Sequence, residues 1–411
     1  MRVPLALTLL SLLAAGCLQD AAVPAGVALP GEATPLPALV AHAAGGALLP
    51  LPSVVPAMLG ATLEWGGAEP TVGVTSDGYI FMVAYERVLR SADGGATWDV
   101  VSTPVSSPTT LDPYIYVDPA TDRVYSDQLY LGCSWLSWSD DRGATWTTNP
   151  AACGLPVNDH QKMVAAKNRG AVPTVGYENV LFYAYNAIAG GQSRVGISYD
   201  GGRTFPVTSV SFPGGACNGG LHGDIIADAE GTLYIPKRHC EGFILLKSTD
   251  SGLTWTNKLV GDDVGGSECR KNADLATDDA LNVYGVWPGK DNRLYLSTSQ
   301  DKGETWLAKS IDMSPPGVNM TTMPSIVAGS AGRIAAAYYG TADGARGPDE
   351  VAKDAQWHLY VTYSLDALSE SPTFVTVRAS EDPVQIGPIS TNSACDAPPG
   401  SRNLLDFIGT A

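Results

Sequence analysis

The sequence predicts an all-β fold, a six-bladed β-propeller, with seven blades as the alternative. Three observations predict it: a turn motif repeated five times, a repeat period near fifty residues, and short β-rich runs between the copies with no long amphipathic helix after residue 60. The motif is Ser-x-Asp-x-Gly-x-Thr-Trp/Phe. It reads SADGGATW from Ser91, SDDRGATW from Ser139, SYDGGRTF from Ser198, STDSGLTW from Ser248 and SQDKGETW from Ser299. A worn sixth copy, SLDALSESPTF from Ser364, keeps the Ser-x-Asp opening and the Thr-Phe ending around an insertion. Successive serines stand 48, 59, 50, 51 and 65 residues apart. A period of that size marks a fold in which each repeat is one supersecondary unit that needs its neighbours.

The elements of one unit follow in order. Ahead of the first copy, PTVGV, YIFMVAY and RVLRS alternate as short strands, and TWDVVS follows as the outer one. Four strands with the motif in the turn from third to fourth make a propeller blade rather than a solenoid coil. Serine hydroxyl and aspartate carboxylate accept turn N–H groups, glycine supplies a positive φ, and the indole wedges between blades. Asp93, Asp141, Asp200, Asp250 and Asp301 are therefore expected to be structural, because a catalytic carboxylate needs one special environment and these occupy five equivalent ones. At the C-terminus, RNLLDFIGTA reads as the start of another inner strand. Either it closes the ring beside N-terminal strands, or the propeller, residues 61–411, is truncated there.

Composition and the N-terminus bear on location. The net charge of −17, from 25 Lys+Arg against 42 Asp+Glu, disfavours a phosphate backbone as partner, so no nucleic acid is expected. MRVPLALTLLSLLAAGC carries one positive charge and an apolar run too short to span a bilayer. Residues 1–17 therefore read as a lipoprotein signal peptide, with AAGC resembling a lipobox and Cys17 as the lipidated residue. An Ala/Pro-rich stretch, residues 18–60, reads as a flexible tether. The protein is thus expected to be exported and held at the cell envelope, outside the cytoplasm, by its lipid alone, as a monomer. The six remaining cysteines are an even number in an exported chain, which favours disulfides. Placed on the blades, Cys133 and Cys153 flank one blade and Cys217 and Cys240 another, all on the face away from the repeated turns. These two pairs are proposed, with Cys269 and Cys395 as a third pair or free thiols.

A propeller presents ligands on the connections over its central channel. By the strand assignment that face carries Glu69, Arg87, Asp112, His160, His222 and His239, together with Asp159, Lys162, Asp224, Lys237, Arg238, Arg270 and Asp274. Three of the five histidines fall there beside aspartates, which raises a metal site as one reading, although no close His-x-His or His-x-x-x-His spacing supports it and no metal ligands are assigned. No cofactor is expected. The acidic turns VDPATD and GDDVGG offer oxygen ligands for calcium, but ordinary loop solvation explains them more simply.

The five copies resemble the Asp boxes of the sialidase, or BNR-repeat, superfamily, over roughly residues 60–411. The resemblance implies a sialidase-like propeller and a glycan as substrate or ligand, and it implies roles for four residues. GTLYIPKR, ending at Arg238, is similar to the segment carrying one arginine of the carboxylate clamp. Arg270 follows as a second clamp residue, Asp224 falls near the family's glutamate, and Tyr339 in AAAYYG, or its neighbour Tyr338, stands for the nucleophile. The chain departs from the pattern in two places. Ala68-Glu69-Pro70 replaces the first-blade Arg-Ile-Pro, and only Val88 and Leu89 separate Arg87 from Arg90, which leaves out the loop that brings the acid/base aspartate. Three readings stay open: a glycoside hydrolase of the exo-α-sialidase kind, a propeller that binds glycans without turnover, and a propeller that binds a cell-surface protein or a metal.

Overall fold

Short apolar runs separated by turns of Gly, Asp and Ser can pair most cheaply with the next run along the chain, and the computed structural model shows that meander repeated. It describes residues 5–8, 39–50, 60–63, 69–110, 112–130, 132–152, 158–187, 191–214, 221–239, 242–261, 273–389, 404 and 408–411. The first blade pairs Val72–Val74, Ile80–Ala84, Arg87–Ser91 and Asp99–Val100 in that order. The second pairs Pro113–Val117, Val124–Tyr130, Cys133–Ser139 and Thr147–Ala152. In the third these are Asn158–Ala166, Val180–Ala187, Gln192–Ser198 and Val207–Phe212. The fourth has Ile226–Ala227, Leu233–His239, Gly242–Ser248 and Thr256–Gly261, and the fifth Asp274–Thr277, Val283–Pro288, Leu294–Ser299 and Ile311–Asp312.

A larger sheet follows. Met320–Ala328, Ile334–Thr341, Gln356–Ser364 and Phe374–Arg378 repeat the blade order, and Leu39–His42 and Leu48–Leu49 add outside them to make seven strands with Gln385–Ile386. This corrects two expectations. Five four-stranded blades stand where six equal ones, or seven, were expected, and part of the stretch expected as tether is sheet. The physical reason is burial: the open outer edge of Phe374–Arg378 accepts the apolar run Leu39–His42, whose Ala41 packs with Val375 and Tyr363. His42 is buried there with its Nε2 2.9 Å from Thr376 Oγ1. A separate ladder joins Leu5–Thr8 to Gly60–Leu63. Among the described residues no helix is long and apolar enough to cross a membrane.

Each hydrophobic cluster between sheets draws on two consecutive ones. Phe81 and Val83 meet Ile115 and Val124, then Leu136 meets Tyr183, Phe182 meets Leu233, Leu245 meets Trp287, and Val286 meets Tyr338. At the remaining seam, Ile408 packs with Met320 and Trp357, while the Gly409 N–H donates to the Pro70 carbonyl at 3.0 Å, ahead of the first blade. The last residues thus lie between the last sheet and the first, and the array is circular: a β-propeller.

The repeated turns are built alike. In the fifth blade, Asp301 accepts from Ser299 Oγ at 2.7 Å, from Thr305 N–H at 2.8 Å and from Thr305 Oγ1 at 2.5 Å, while Gly303 N–H donates to Ser299 Oγ at 2.8 Å. The same bonds recur at Asp93, Asp141, Asp200 and Asp250. In the worn copy Asp366 still accepts from Ser364 and Thr373 at 2.9 Å, so the insertion loops out without breaking the turn. Hydrogen bonds from Thr97 and Ser91 hold the Asp93 carboxyl down at about 2, and Asp301 also lies at about 2, its Thr305 and Ser299 bonds outweighing the opposing effect of burial. Two indoles tie blades together, Trp146 Nε1 to Val101 O at 2.8 Å and Trp255 Nε1 to Ser209 Oγ at 3.1 Å. A second recurrent turn went unread in the sequence. Asp228 and Asp278 each accept N–H groups two and four residues on and take a tyrosine hydroxyl, Tyr234 at 3.0 Å and Tyr284 at 2.6 Å.

Candidate functional site at the axial head of the ring

Antiparallel pairing puts the first-to-second and third-to-fourth turns of every blade at one end. There the Ser76 N–H donates to Asp122 at 2.7 Å, and Arg142 of the second repeated turn pairs with Asp77. The inner strands begin at the other end, and their heads carry a polar circuit. Thr71 Oγ1 accepts the Ile115 N–H at 2.7 Å, joining the first blade to the second. Lys162 of the third blade lies 4.9 Å above the ring of Tyr114 in the second and pairs with Asp224, before the fourth, at 3.0 Å. Asp274 heads the fifth blade and accepts the Ile326 N–H of the last sheet at 3.0 Å. Ser325 Oγ stands 2.9 Å from Thr410 Oγ1, beside the Gly409 bond that returns to the first blade.

Backbone irregularity aims these groups. Between Asp159 and Lys162 the register slips, with His160 at φ +53, and between Thr322 and Ser325 it slips again, with Met323 at φ +49. Each bulge opposes two residues to one, which re-aims the side chain that follows, Lys162 in one strand and Ser325 in the other. Lys162 is buried, its side chain 1% exposed, whereas that of Asp224 is 29% exposed. Burial, then the charge of Asp224, pushes the Asp274 carboxyl above the usual carboxylate range. The Tyr114 phenol is likewise pushed up by burial and by Asp224. A buried cation, a partly solvated carboxylate and a buried acid thus stand on three neighbouring segments beside Tyr114.

The other sequence candidates divide. His160 and His222 are buried with ring centres 5.6 Å apart, and His222 Nδ1 stands 2.7 Å from the Gly223 carbonyl. Burial pushes His222 down to about 3, so its imidazole is neutral, and burial lowers Lys237, 5.2 Å from the Phe212 ring, to about 7. His239 lies 6.0 Å from Phe212 instead of joining the pair. Among the described residues no group of three His, Cys, Asp or Glu could hold a metal ion. Glu69 is buried with φ +46, Asp112 accepts Gln161 Nε2 on its backbone carbonyl at 2.6 Å, and Arg87 pairs with Glu86 at 3.0 Å. Arg238 is 9% exposed, opposite Phe243 in the fourth blade.

Tyr339 needs correction. It is fully buried among Met320, Trp357 and Leu359, so its hydroxyl does not reach a ligand on the face, and burial raises its phenol further from the reactive phenolate. In AAAYYG the alternating pleat turns both tyrosines into core, Tyr338 toward Tyr360 and Tyr339 toward Trp357. Arg270, Cys17, Cys153, Cys217, Cys240, Cys269 and Cys395 lie outside the described residues. Cys133 is bonded in a disulfide. Sequence reasoning missed Tyr114, Ser325 and Thr410, and also Asp127, a fully buried acid pushed up to about 8 by burial despite its bond from Ser134. Alternation within a strand such as PYIYV marks which residues are buried, but not which of them meets the axis.

The protein is therefore a β-propeller with an acid–lysine cluster at its axial head. No protein-family model matches the chain, and no curated protein matches it. Among solved structures it is similar to a protein of unknown function from Dyadobacter fermentans, at 14% identity over 76% of this chain and 94% of that one, with a TM-score of 0.43. It is also similar to the Hadza microbial sialidase Hz136, at 15% identity over 76% and 65% of the two chains, TM-score 0.42. A third is the six-bladed fucose-binding lectin of Aleuria aurantia, at 13% identity over 79% and 96%, TM-score 0.43. At these values the architecture rests on the sheet order and the ring of interfaces, not on the neighbours.

Proposed function

We propose that this protein is an exported, lipid-anchored, monomeric propeller of the sialidase-like, Asp-box kind that recognises a glycan at its axial head, with the seven-stranded sheet serving as the sixth sector of the ring. The observation that carries the reading is the axial cluster. Asp224 offers acceptors and Lys162 a charged donor beside the Tyr114 ring, the mixture of groups that sugar hydroxyls and a sugar face require. Arg238 is nearly buried, Arg87 is engaged by Glu86, and Tyr339 is enclosed in the core. Binding without turnover is therefore favoured over exo-sialidase activity.

The test is a glycan array, run with a panel of fluorogenic glycosides including a sialoside, on the purified protein and on Lys162→Met and Arg238→Ala. Binding to hydroxyl-rich glycans that Lys162→Met abolishes is expected, without turnover. Hydrolysis of the sialoside that Arg238→Ala abolishes would overturn the choice in favour of the enzyme, and silence on both panels would leave a protein ligand. Anchoring has its own check: radiolabelled palmitate should enter the wild-type protein and not Cys17→Ala.

A further inference from the structure

Two aspartates meet at one contact between sheets. Gly223 packs so closely on the head of the fifth blade that a Cβ there would lie 2.5 Å from the Ala273 carbonyl oxygen and 2.6 Å from Pro236 Cγ. The next residue of each segment is an aspartate, Asp224 and Asp274. Asp224 is partly solvated and its Oδ1 is paired with Lys162. Asp274 is buried and its Oδ2 accepts the Ile326 N–H; the Leu275 N–H and the Ser325 hydroxyl also bear on the carboxyl, but its Oδ1 makes no hydrogen bond of normal geometry. Were Asp274 ionised, a bare anionic oxygen would be buried near a second carboxylate, with the ammonium of Lys162 already committed. That arrangement carries a full desolvation cost and a like-charge cost together. A proton on Asp274 removes both and makes it a hydrogen-bond donor on the segment that packs against that of Asp224.

The geometry points to Asp224 and Asp274 as a proton-sharing carboxyl pair, in which Asp274 holds the proton and positions Asp224 to accept hydrogen bonds from the hydroxyls of an uncharged sugar. This rests on the glycan reading for its ligand, but not for the pair itself. The titratable groups on the elements packed about the pair are Glu69, Tyr114, Asp159, His160, Lys162, His222 and Lys237. Lys162 is paired with Asp224, and burial holds His222 down to about 3. Burial lowers Lys237 to about 7, within the pH range over which binding is measured, and Asp274→Asn separates its titration from that of Asp274. With the proton in place, Lys162, Asp224 and Asp274 sum to no net charge. An acidic sugar would then bring its carboxylate against Asp224 with no free cation of the trio to receive it, so the cluster selects neutral sugars. Asp274 is a positioning residue here, since its Oδ1 is closed to solvent.

Two measurements on the purified protein test this. In carbon-13 carboxyl NMR of aspartate-labelled protein, the Asp274 signal, assigned with Asp274→Asn, is expected to remain protonated well above the ordinary carboxylate range and to titrate lower in Asp224→Asn. Ordinary titration of Asp274, or no response to Asp224→Asn, overturns the pair without any sugar being present. In the second measurement, affinity for a neutral glycan is followed from about pH 6 to about pH 9. The wild type is expected to weaken at least about fivefold, and Asp274→Asn, whose amide cannot ionise and keeps a donor, to stay level. Equal weakening of both, or tighter binding of a sialylated glycan, overturns the specificity claim. An anomalous proton in the first measurement with no sugar bound in the second supports the pair and overturns the glycan reading.

Discussion

Replacing Gly303 by alanine asks whether the repeated turn is what locks one blade to the one before it. Gly303 sits at φ +82, and an added Cβ would stand 2.6 Å from Leu245 Cδ2 in the preceding blade. Leu245 is fully buried against Tyr234, Phe243 and Trp287, so it has no free direction in which to yield. The left-handed backbone alone costs a residue with a Cβ about 1–2 kcal/mol, and overpacking a closed core adds about 1–3 kcal/mol. Gly303→Ala is therefore expected to lose about 2–5 kcal/mol by those two costs together. Gly78 supplies the control, with φ +90 and no atom within 4 Å of the added Cβ. Gly78→Ala should lose only the backbone part, about 1–2 kcal/mol. Urea unfolding of the oxidised protein, read as a shift of midpoint at constant slope, measures both. Equal losses in the two variants would refute the claim that the turn glycine is a packing element as well as a conformational one.

Two further predictions concern pH and redox state. Burial holds the His222 imidazole neutral, from an ordinary 6.5 down to about 3, so the unfolded chain binds a proton that the folded chain refuses. Its contribution to stability is complete above the unfolded value and is lost as pH falls from 6.5 toward 3. His222→Gln should flatten the acid side of the curve of melting temperature against pH, and an unchanged slope would show that other groups govern it. Reduction of the disulfide at Cys133 is expected to cost about 2–4 kcal/mol, read as a lower urea midpoint. A non-reducing peptide map should find Cys133 joined to Cys153, and a peptide joined elsewhere would overturn that pairing.

What could be read from the sequence was what is local. The repeated turn closes its bonds within seven residues, from Ser299 to Thr305 in one copy, so its residue types and spacing are visible as a motif and its aspartates can be judged structural without coordinates. The strand order of five blades followed from the same local pairing. The stretch before residue 60 was misread because its partner is far away: His42 meets Thr376 across 334 residues of chain. Composition suggested a tether, and only the vacant edge of the last sheet turns Leu39–His42 into a strand. Tyr339 was misread for a related reason, since a tyrosine in AAAYYG has the same chemistry wherever it points, and only the packing of sheets on both sides of the strand buries the two tyrosines.

The chain by itself determined that turns would recur every fifty or so residues and that each would be held by Ser, Asp, Gly and Thr, because those bonds are made between near neighbours. Tertiary structure alone decided which polar residues share the axis. Lys162, Asp224 and Asp274 head three different sheets. Lys162 reaches Asp224 from a strand that bulges between Asp159 and Lys162, and the close packing of Gly223 on Ala273 brings the segments of Asp224 and Asp274 together. Burial and the nearby Asp224 then push the Asp274 carboxyl above the usual carboxylate range, an outcome that depends on solvent exclusion and charge spacing in three dimensions, neither of which is written in any short run of residues.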